Sequence, residues 1–331
     1  MSQAHSPLVS ILVRSMDRST LNRALDSAAA QTWPNIEIVV IAACGHSHRP
    51  LASEHLGRPL RLVFAPADSR LSRPEAANVA LEAAAGDWVN FLDDDDELLP
   101  KHLATLFGAA RSVDERVIYA RTRVLDSRGA LLGHIGHAGN HVQLYFQSRA
   151  TTCATLLHRS LIEEGARFDP AFRVHEDHDF QINCATRTNF LFVDEPTCTW
   201  HAQAGDSGCG FGTNDDGAQR LESVAAVRQK WASTFEGWLS DADAVLICGR
   251  QYLDAGELPL AIACFDQVLH IRPGDVNALN LGGMANLRAG DLDRAERLLV
   301  TALHRLPDHA GLRGNLELVR RMRAESAARR Q

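Results

Sequence analysis

No uninterrupted apolar stretch in this sequence approaches the roughly 18–20 residues needed to cross a bilayer, which restricts any membrane association to the surface. Positive charge is also short. The 34 lysines and arginines stand against 41 aspartates and glutamates, and the formal charge of −7 excludes broad adhesion to nucleic acid or anionic lipid. The one basic run, residues 320–330, reads as a solvated helix end. Seven cysteines, an odd and scattered set, give no disulfide framework and suit buried thiols in a reducing compartment. Cys198, His201 and Cys209 lack the second paired motif that would make a zinc site. The polar start, residues 1–7, has neither the charged opening nor the cleavage site of a secretory signal. The expected location is therefore cytoplasmic, with the inner membrane face as the lipid surface within reach.

What is present is the composition of a globular chain, 45% hydrophobic and, at 331 residues, long enough for two domains. Residues 8–13, 36–41, 60–64 and 88–92 are apolar runs rich in β-branched side chains, bounded by polar or glycine punctuation, and read as strands. Helical patterns lie between them. Residues 19–31 place Leu21, Leu25 and Ala28 on one face with Pro34 as a stop, and the alanine-rich stretch 74–85 closes at Gly86. This repetition predicts an α/β fold with a mostly parallel sheet flanked by helices, whose ligands gather beyond the carboxyl ends of the strands. Strands are expected again at 116–125, 152–158 and 190–193, and a helix at 177–186. Gly205, Gly208, Gly210 and Gly212 make residues 202–216 an irregular loop and a candidate lid.

From residue 241 the pattern turns helical with an internal period. Pro273 and Pro307 stand 34 residues apart; Gly249 and Gly283 occupy one small position, Ala261 and Ala295 another, and Tyr252 and Phe265 fill aromatic slots. The segment resembles tetratricopeptide repeats over residues 242–309, with a degenerate cap from Ala310. The expected domains are therefore 1–240 and 241–331, the second an all-α helical-repeat domain. Two repeats and a cap are few, because each unit buries its apolar face on a neighbour. The array is expected to lean on the first domain or on a second subunit, so a homo-oligomer stays open, as does a protein partner held on the repeats.

The densest chemical signal is Phe91-Leu92-Asp93-Asp94-Asp95-Asp96-Glu97, directly after a strand. Adjacent carboxylates repel one another unless a cation compensates them, and hard oxygen ligands suit Mg²⁺ or Mn²⁺. An acidic helix start is the plainer alternative. A second acidic motif, Val174-His175-Glu176-Asp177-His178-Asp179-Phe180, stands at a helix entry, where the plain reading is an N-terminal cap and the chemical one a general base.

The spacing of Arg73, Asn78, Ala84, Gly86 and Asp87 before the aspartate run resembles the central signature of family 2 glycosyltransferases, which have the GT-A fold. Residues 10–18 (SILVRSMDR) and Gln31-Thr32-Trp33-Pro34-Asn35-Ile36-Glu37 are similar to the family's first strand, nucleotide loop and second strand, and the resemblance spans about residues 8–207. It implies a nucleotide-sugar donor (UDP-, GDP- or dTDP-linked) and a glycan or protein acceptor. It further implies ribose and metal contacts by Asp93 and Asp95, Asp96 as a supporting acid, and Asp177 as general base with Glu176 beside it. His201 falls where many members carry a histidine near the metal. Donor contacts are then expected from Arg14, Ser15, Asp17, Arg73, Asn78, Asp93 and Asp94, and metal contacts from Asp93, Asp95 and His201. A single in-line displacement implies inversion at the anomeric carbon.

Two departures bear on this. Ala42-Ala43-Cys44-Gly45 replaces the acids that usually hold the base after the second strand, leaving Asp68 or backbone groups of the first loop for that task, and Ala77 stands where many members have arginine. Two rival functions follow. A nucleotidyltransferase would need a glycine- and lysine-bearing loop, which residues 14–18 lack, and a degenerate, non-catalytic scaffold would leave the repeats as the working part.

Overall fold

Alternation along the first two strands explains the layering. In β1 (Val9–Ser15), Val9, Ile11 and Val13 enter one apolar core with Ile36, Ile38 and Val40 of β2 (Ile36–Ala42), while Leu12, Val39 and Ile41 enter the opposite one. Helix α1 (Leu21–Ala29) covers the first face and α2 (Arg73–Ala83) the second. Both faces are therefore dry, and each fully buried Leu, Ile or Val contributes about 1.5–3 kcal/mol relative to exposure. The structure, a computed structural model, describes residues 6–65, 69–110, 115–202 and 217–328. Asp68, Cys209 and the expected loop from residue 203 onward lie outside the described residues.

The remaining strands are β3 (Glu54–His55), β4 (Arg58–Val63), β5 (Trp88–Asp93), β6 (Glu97–Leu98), β7 (Val117–Leu125), β8 (Leu131–Ile135), β9 (Thr155–His158) and β10 (Phe190–His201). The sheet runs β3-β4-β2-β1-β5-β9-β7-β10-β6, with β8 on β7. The neighbours β4, β2, β1 and β5 are parallel, as are β7 and β10; β9 is antiparallel to β5 and β7, and β6 to β10. This is the mixed, mostly parallel α/β sheet expected. Its other helices are α3 (His102–Ala109), α4 (Gln143–Phe146), α5 (Ser160–Glu163), α6 (Glu176–Ala185) and α7 (Gly217–Lys230).

Three local expectations change. Gly86 does not end α2 in a left-handed cap: that helix closes at Ala84, and a Cβ on Gly86 would sit 2.7 Å from the Leu8 carbonyl oxygen, so Gly86 permits close approach to β1. Residues Thr152–Ala154 form a 3₁₀ turn ahead of a shorter β9. Strand β10 runs on to His201, beyond the expected end at 193, with a register shift around Pro196, which has no N–H to give the ladder.

By its contacts the chain divides into two compact units, Met1–Trp231 and Ala232–Gln331. The second is all-helical: α8 (Ala232–Ser240), α9 (Ala242–Ala255), α10 (Leu258–Ile271), α11 (Val276–Ala289), α12 (Leu292–Arg305) and α13 (Ala310–Ala328). Helices α11 and α12 start 34 residues after α9 and α10 and have the same 14-residue lengths. Asp241, Asp275 and Asp291 cap helix starts by accepting backbone N–H groups. The small residues permit interhelical contact: a Cβ on Gly249 would lie 2.8 Å from Cys264 Cβ, and one on Gly283 would lie 2.8 Å from Leu299 Cγ.

Candidate active site

The carboxyl ends of β1 and β5 lie side by side, with Arg14 paired to Asp93 in the parallel register. That register puts the Arg14 guanidinium on Asp93 as a fork, Nε to Oδ1 at 2.7 Å and Nη2 to Oδ2 at 2.9 Å. Arg14 is buried, and its Nη1 reaches Glu176 at 3.5 Å, while Arg73, the first residue of α2, meets the same Glu176 oxygen at 2.9 Å. One chain of charges, Asp93–Arg14–Glu176–Arg73, thus joins the aspartate run to the later acidic motif.

Burial works against charge on Asp93, but Arg14 and then Arg73 outweigh it and hold the carboxyl below its ordinary range. Asp95 behaves oppositely: burial, with Asp93 and Asp94 adding repulsion, pushes it up to about 6 against the opposing charge of Arg18. Burial, followed by Cys153 and Asp95, raises Asp96 well above its usual value. One oxygen each from Asp93, Asp95 and Asp96 lies within 4.8 Å of the other two. Three hard carboxylate donors, two of them raised by mutual repulsion and burial, fit a divalent cation such as Mg²⁺ or Mn²⁺.

Asp94 has another task. Its buried carboxylate accepts from the Met16 amide at 2.7 Å, the Ser15 hydroxyl at 3.2 Å and Arg18 Nη1 at 2.6 Å, stapling the loop after β1 to the aspartate run. Within that loop Asp17 has a left-handed backbone, φ 60°, and its carboxylate takes the Arg49 amide at 2.9 Å and the Arg49 guanidinium at 2.8 Å. Ser15 Oγ also meets His48 Nε2 at 2.9 Å, while His48 Nδ1 donates to the Arg49 carbonyl. The Asn78 amide is engaged with the backbone of Phe168, donating to its carbonyl and accepting from its N–H. His201 Nε2 sits 2.8 Å from Glu97, and its backbone N–H donates to Asp96 at 3.1 Å. The imidazole therefore borders the three converging acids without being one of the donors that meet there.

Helix α6 does not begin with an acid cap. His175, at φ 59° and ψ 24°, stands at the cap position, and such a backbone in a non-glycine residue is held in place by its surroundings. Glu176 follows, fully buried; burial lifts its carboxyl, Arg73 opposes this, and the neighbouring charge of Asp177 adds to the rise. Asp177 is half-buried in the first turn, with one oxygen accepting the His178 amide at 2.8 Å.

Arg23, His48 and Arg49 belong to this site and were not expected in it. Arg23 donates to the Asp95 carbonyl at 2.8 Å and approaches Glu97 at 3.2 Å. The signal for the other two was available in the run His46-Ser47-His48-Arg49, which follows the missing acids at Ala42 and Ala43.

Residues 10–164 match the family described as Glycosyl transferase family 2. Over those residues the chain carries a family 2 glycosyltransferase domain. That match covers the loop after β1, α2 and the aspartate run; Glu176, Asp177 and His201 fall beyond it. An uncharacterized glycosyltransferase of Methanocaldococcus jannaschii is 22% identical over 199 residues, 57% of this chain and 69% of that protein. The amylovoran biosynthesis glycosyltransferase AmsB of Erwinia amylovora is 25% identical over 195 residues, 54% of this chain and 64% of that protein. Among solved structures, S. aureus TarS 1–349 in complex with UDP-GlcNAc aligns over 91% of this chain and 93% of its own, with TM-score 0.50 and 15% identity, a likeness of fold. Among the described residues no helix is long and apolar enough to cross a membrane.

Proposed function

We propose that the glycosyltransferase domain moves a sugar from a nucleotide-diphosphate donor to a hydroxyl of a glycan or protein, with inversion and with a divalent cation at Asp93, Asp95 and Asp96. The observation that carries this reading is the charge chain Asp93–Arg14–Glu176–Arg73, which links the acids suited to a cation with the helix that bears a candidate base. A cation such as Mn²⁺ or Mg²⁺ at those acids supplies charge neutralisation for the departing nucleoside diphosphate. Arg73, a third exposed at the start of α2, is the cation of the chain with access to the donor phosphates; the fork of the buried Arg14 serves Asp93. Ser15 and Asp17 shape the loop that receives the nucleotide, through Asp94 and Arg49. Asp177 accepts the proton of the attacking hydroxyl as the acceptor oxygen approaches the anomeric carbon opposite the leaving group.

The donor complex of TarS makes UDP-sugars the first to test, with GDP- and dTDP-sugars after them, since Ala42 and Ala43 offer no acid to select a base. AmsB is named for amylovoran biosynthesis, and on that likeness glycan acceptors are to be tested ahead of protein acceptors. Residues 241–331 are proposed as a tetratricopeptide-like array that presents a partner surface, in a cytoplasmic protein whose thiols stay reduced. Asp177→Asn tests the mechanism. Donor binding measured by calorimetry should survive while transfer falls by about 10²–10⁴-fold, the span general-base catalysis supplies. Transfer at the wild-type rate would overturn the assignment.

A further inference from the structure

Asp179 is the third carboxylate of the acidic motif and the mechanism above gives it no task, although it is fully buried. Its partners come from one short stretch at the end of α7. Lys230 Nζ lies 2.8 Å from Oδ1 and 2.9 Å from Oδ2, and Trp231 Nε1 donates to Oδ1 at 2.7 Å. Lys230 also bonds Asp169 Oδ2 at 2.8 Å, and its ammonium rests 5.1 Å from the centre of the Phe172 ring. Midway along α7, the Ser223 hydroxyl donates to the Val174 carbonyl. Helix α7 therefore grips the chain on both sides of His175, the left-handed residue that sets the entry to α6.

Helical geometry says what the grip does. At 3.6 residues per turn, Asp177 and Asp179 point roughly 200° apart around α6. Holding Asp179 fixes the back of the helix and turns Asp177 to the opposite side, consistent with one carboxylate being buried and the other half-exposed. The bonds to Asp169 and Val174 fix the approach to that turn, so neither the rotation of α6 nor its entry angle is free. We infer that Lys230 and Trp231 are positioning residues for transfer, acting on Asp177 through Asp179. The inference rests on the reading of Asp177 as the base, and it assigns α7 a task in turnover.

The test uses the full chain and the variants Lys230→Met, Lys230→Arg and Trp231→Phe, the last removing the indole N–H while keeping a ring. Turnover, donor KM and hydrogen exchange of the α6 amides are measured for each. If α6 is held through Asp179, Lys230→Met should lower kcat about tenfold or more with donor KM within about twofold, because a misplacement of the order of 1 Å is costly in a reacting geometry. Lys230→Arg should recover part of the loss, Trp231→Phe should fall between, and exchange at 178–182 should quicken in step. Wild-type kcat in Lys230→Met and Trp231→Phe, beside an inactive Asp177→Asn, would overturn the positioning role and leave the base intact. Should Asp177→Asn itself prove active, the base reading fails, and α6 exchange then judges the grip alone: unchanged exchange in Lys230→Met overturns it. Where Lys230→Met does not fold, Trp231→Phe and Lys230→Arg carry the same comparison.

Discussion

Among the described residues the α/β unit buries Arg14, Asp94, Asp96, Glu176 and Asp179, whereas the helical unit buries one residue of polar type, Asn286, whose amide donates to the Gly282 carbonyl of its own helix. The ion pairs of the helical unit, such as Arg272–Asp243 and Arg320–Glu296, lie at its surface. Burying charge carries a desolvation cost that close pairing offsets only in part, so a unit that buries several charges is organised around something besides its own stability. The helical unit follows the opposite rule: apolar packing inside and charge outside, with small residues where helices meet.

The comparison breaks most sharply at Arg14. Arg14→Met removes the counter-ion that Asp93 and Glu176 share, leaving the part-buried Asp93 without its fork and the fully buried Glu176 with Arg73 alone. Loss of one partner from a buried pair costs about 3–5 kcal/mol, so the urea midpoint should fall steeply and transfer should be lost with it. Arg14→Lys keeps the charge without the fork and should recover stability better than activity. A midpoint within error of wild type in Arg14→Met would mean that the chain of charges is not what holds the two motifs together.

In the helical unit the corresponding test is steric. Gly283→Ala places a methyl group 2.8 Å from Leu299 Cγ, inside the normal contact distance, at the meeting of α11 and α12. Overpacking of this kind costs about 1–3 kcal/mol. Thermal unfolding should therefore shift downward while kcat, assayed below the transition, stays at the wild-type value. A loss of kcat without a loss of stability would tie the repeats to turnover and blur the contrast between the units.

How much of this was legible in the sequence follows the same division. Strands β1, β2 and β5 were readable because both faces are largely buried, which writes them as nearly continuous apolar runs; β4, where Leu60 alone is buried, showed through the apolar Leu60, Leu62 and Val63, and the helical period was readable because close packing forces Gly249, Gly283, Ala261 and Ala295 to stay small. The edge pieces β3, β6 and β8 were not, since two-residue strands and a largely exposed hairpin carry no periodic signal. At the site, the aspartate run and the Glu176–Asp177 pair stood out as residue types, but their division of labour depends on pairing. Only three-dimensional neighbours show Arg14 spent on Asp93, Asp94 spent on the loop after β1, and Asn78 spent on Phe168. Lys230 and Trp231 gave no signal at all, because an ordinary Lys-Trp step at a helix end means something only once Asp179 is found beneath it.

The smallest expected effect is pH dependence at the aspartate cluster of the α/β unit. Asp95 titrates at about 6 in the folded protein against an ordinary 3.8, raised by burial and by Asp93. Between those values the folded state holds a proton that the unfolded chain has released, so this contribution is full below about pH 4 and is lost as pH rises through 6. Glu37, Glu75 and Asp169 have depressed values and favour the folded state in the opposite direction, as pH rises from the acid side. The difference between wild type and Asp95→Asn isolates the first effect: relative to the variant, wild type should lose about 1 kcal/mol between pH 4.5 and 7, a shift of one pKa unit being worth about 1.4 kcal/mol and the cluster sharing the proton. Mn²⁺ should remove that loss, and its stabilisation of wild type should grow with pH, because the cation competes with the proton for the same oxygens. The pH series in urea, with and without Mn²⁺, checks both signs. A wild type that gains stability over Asp95→Asn across this window without metal would place a fixed positive charge at the aspartate cluster, and the cation would no longer be needed to explain why four acids stand together.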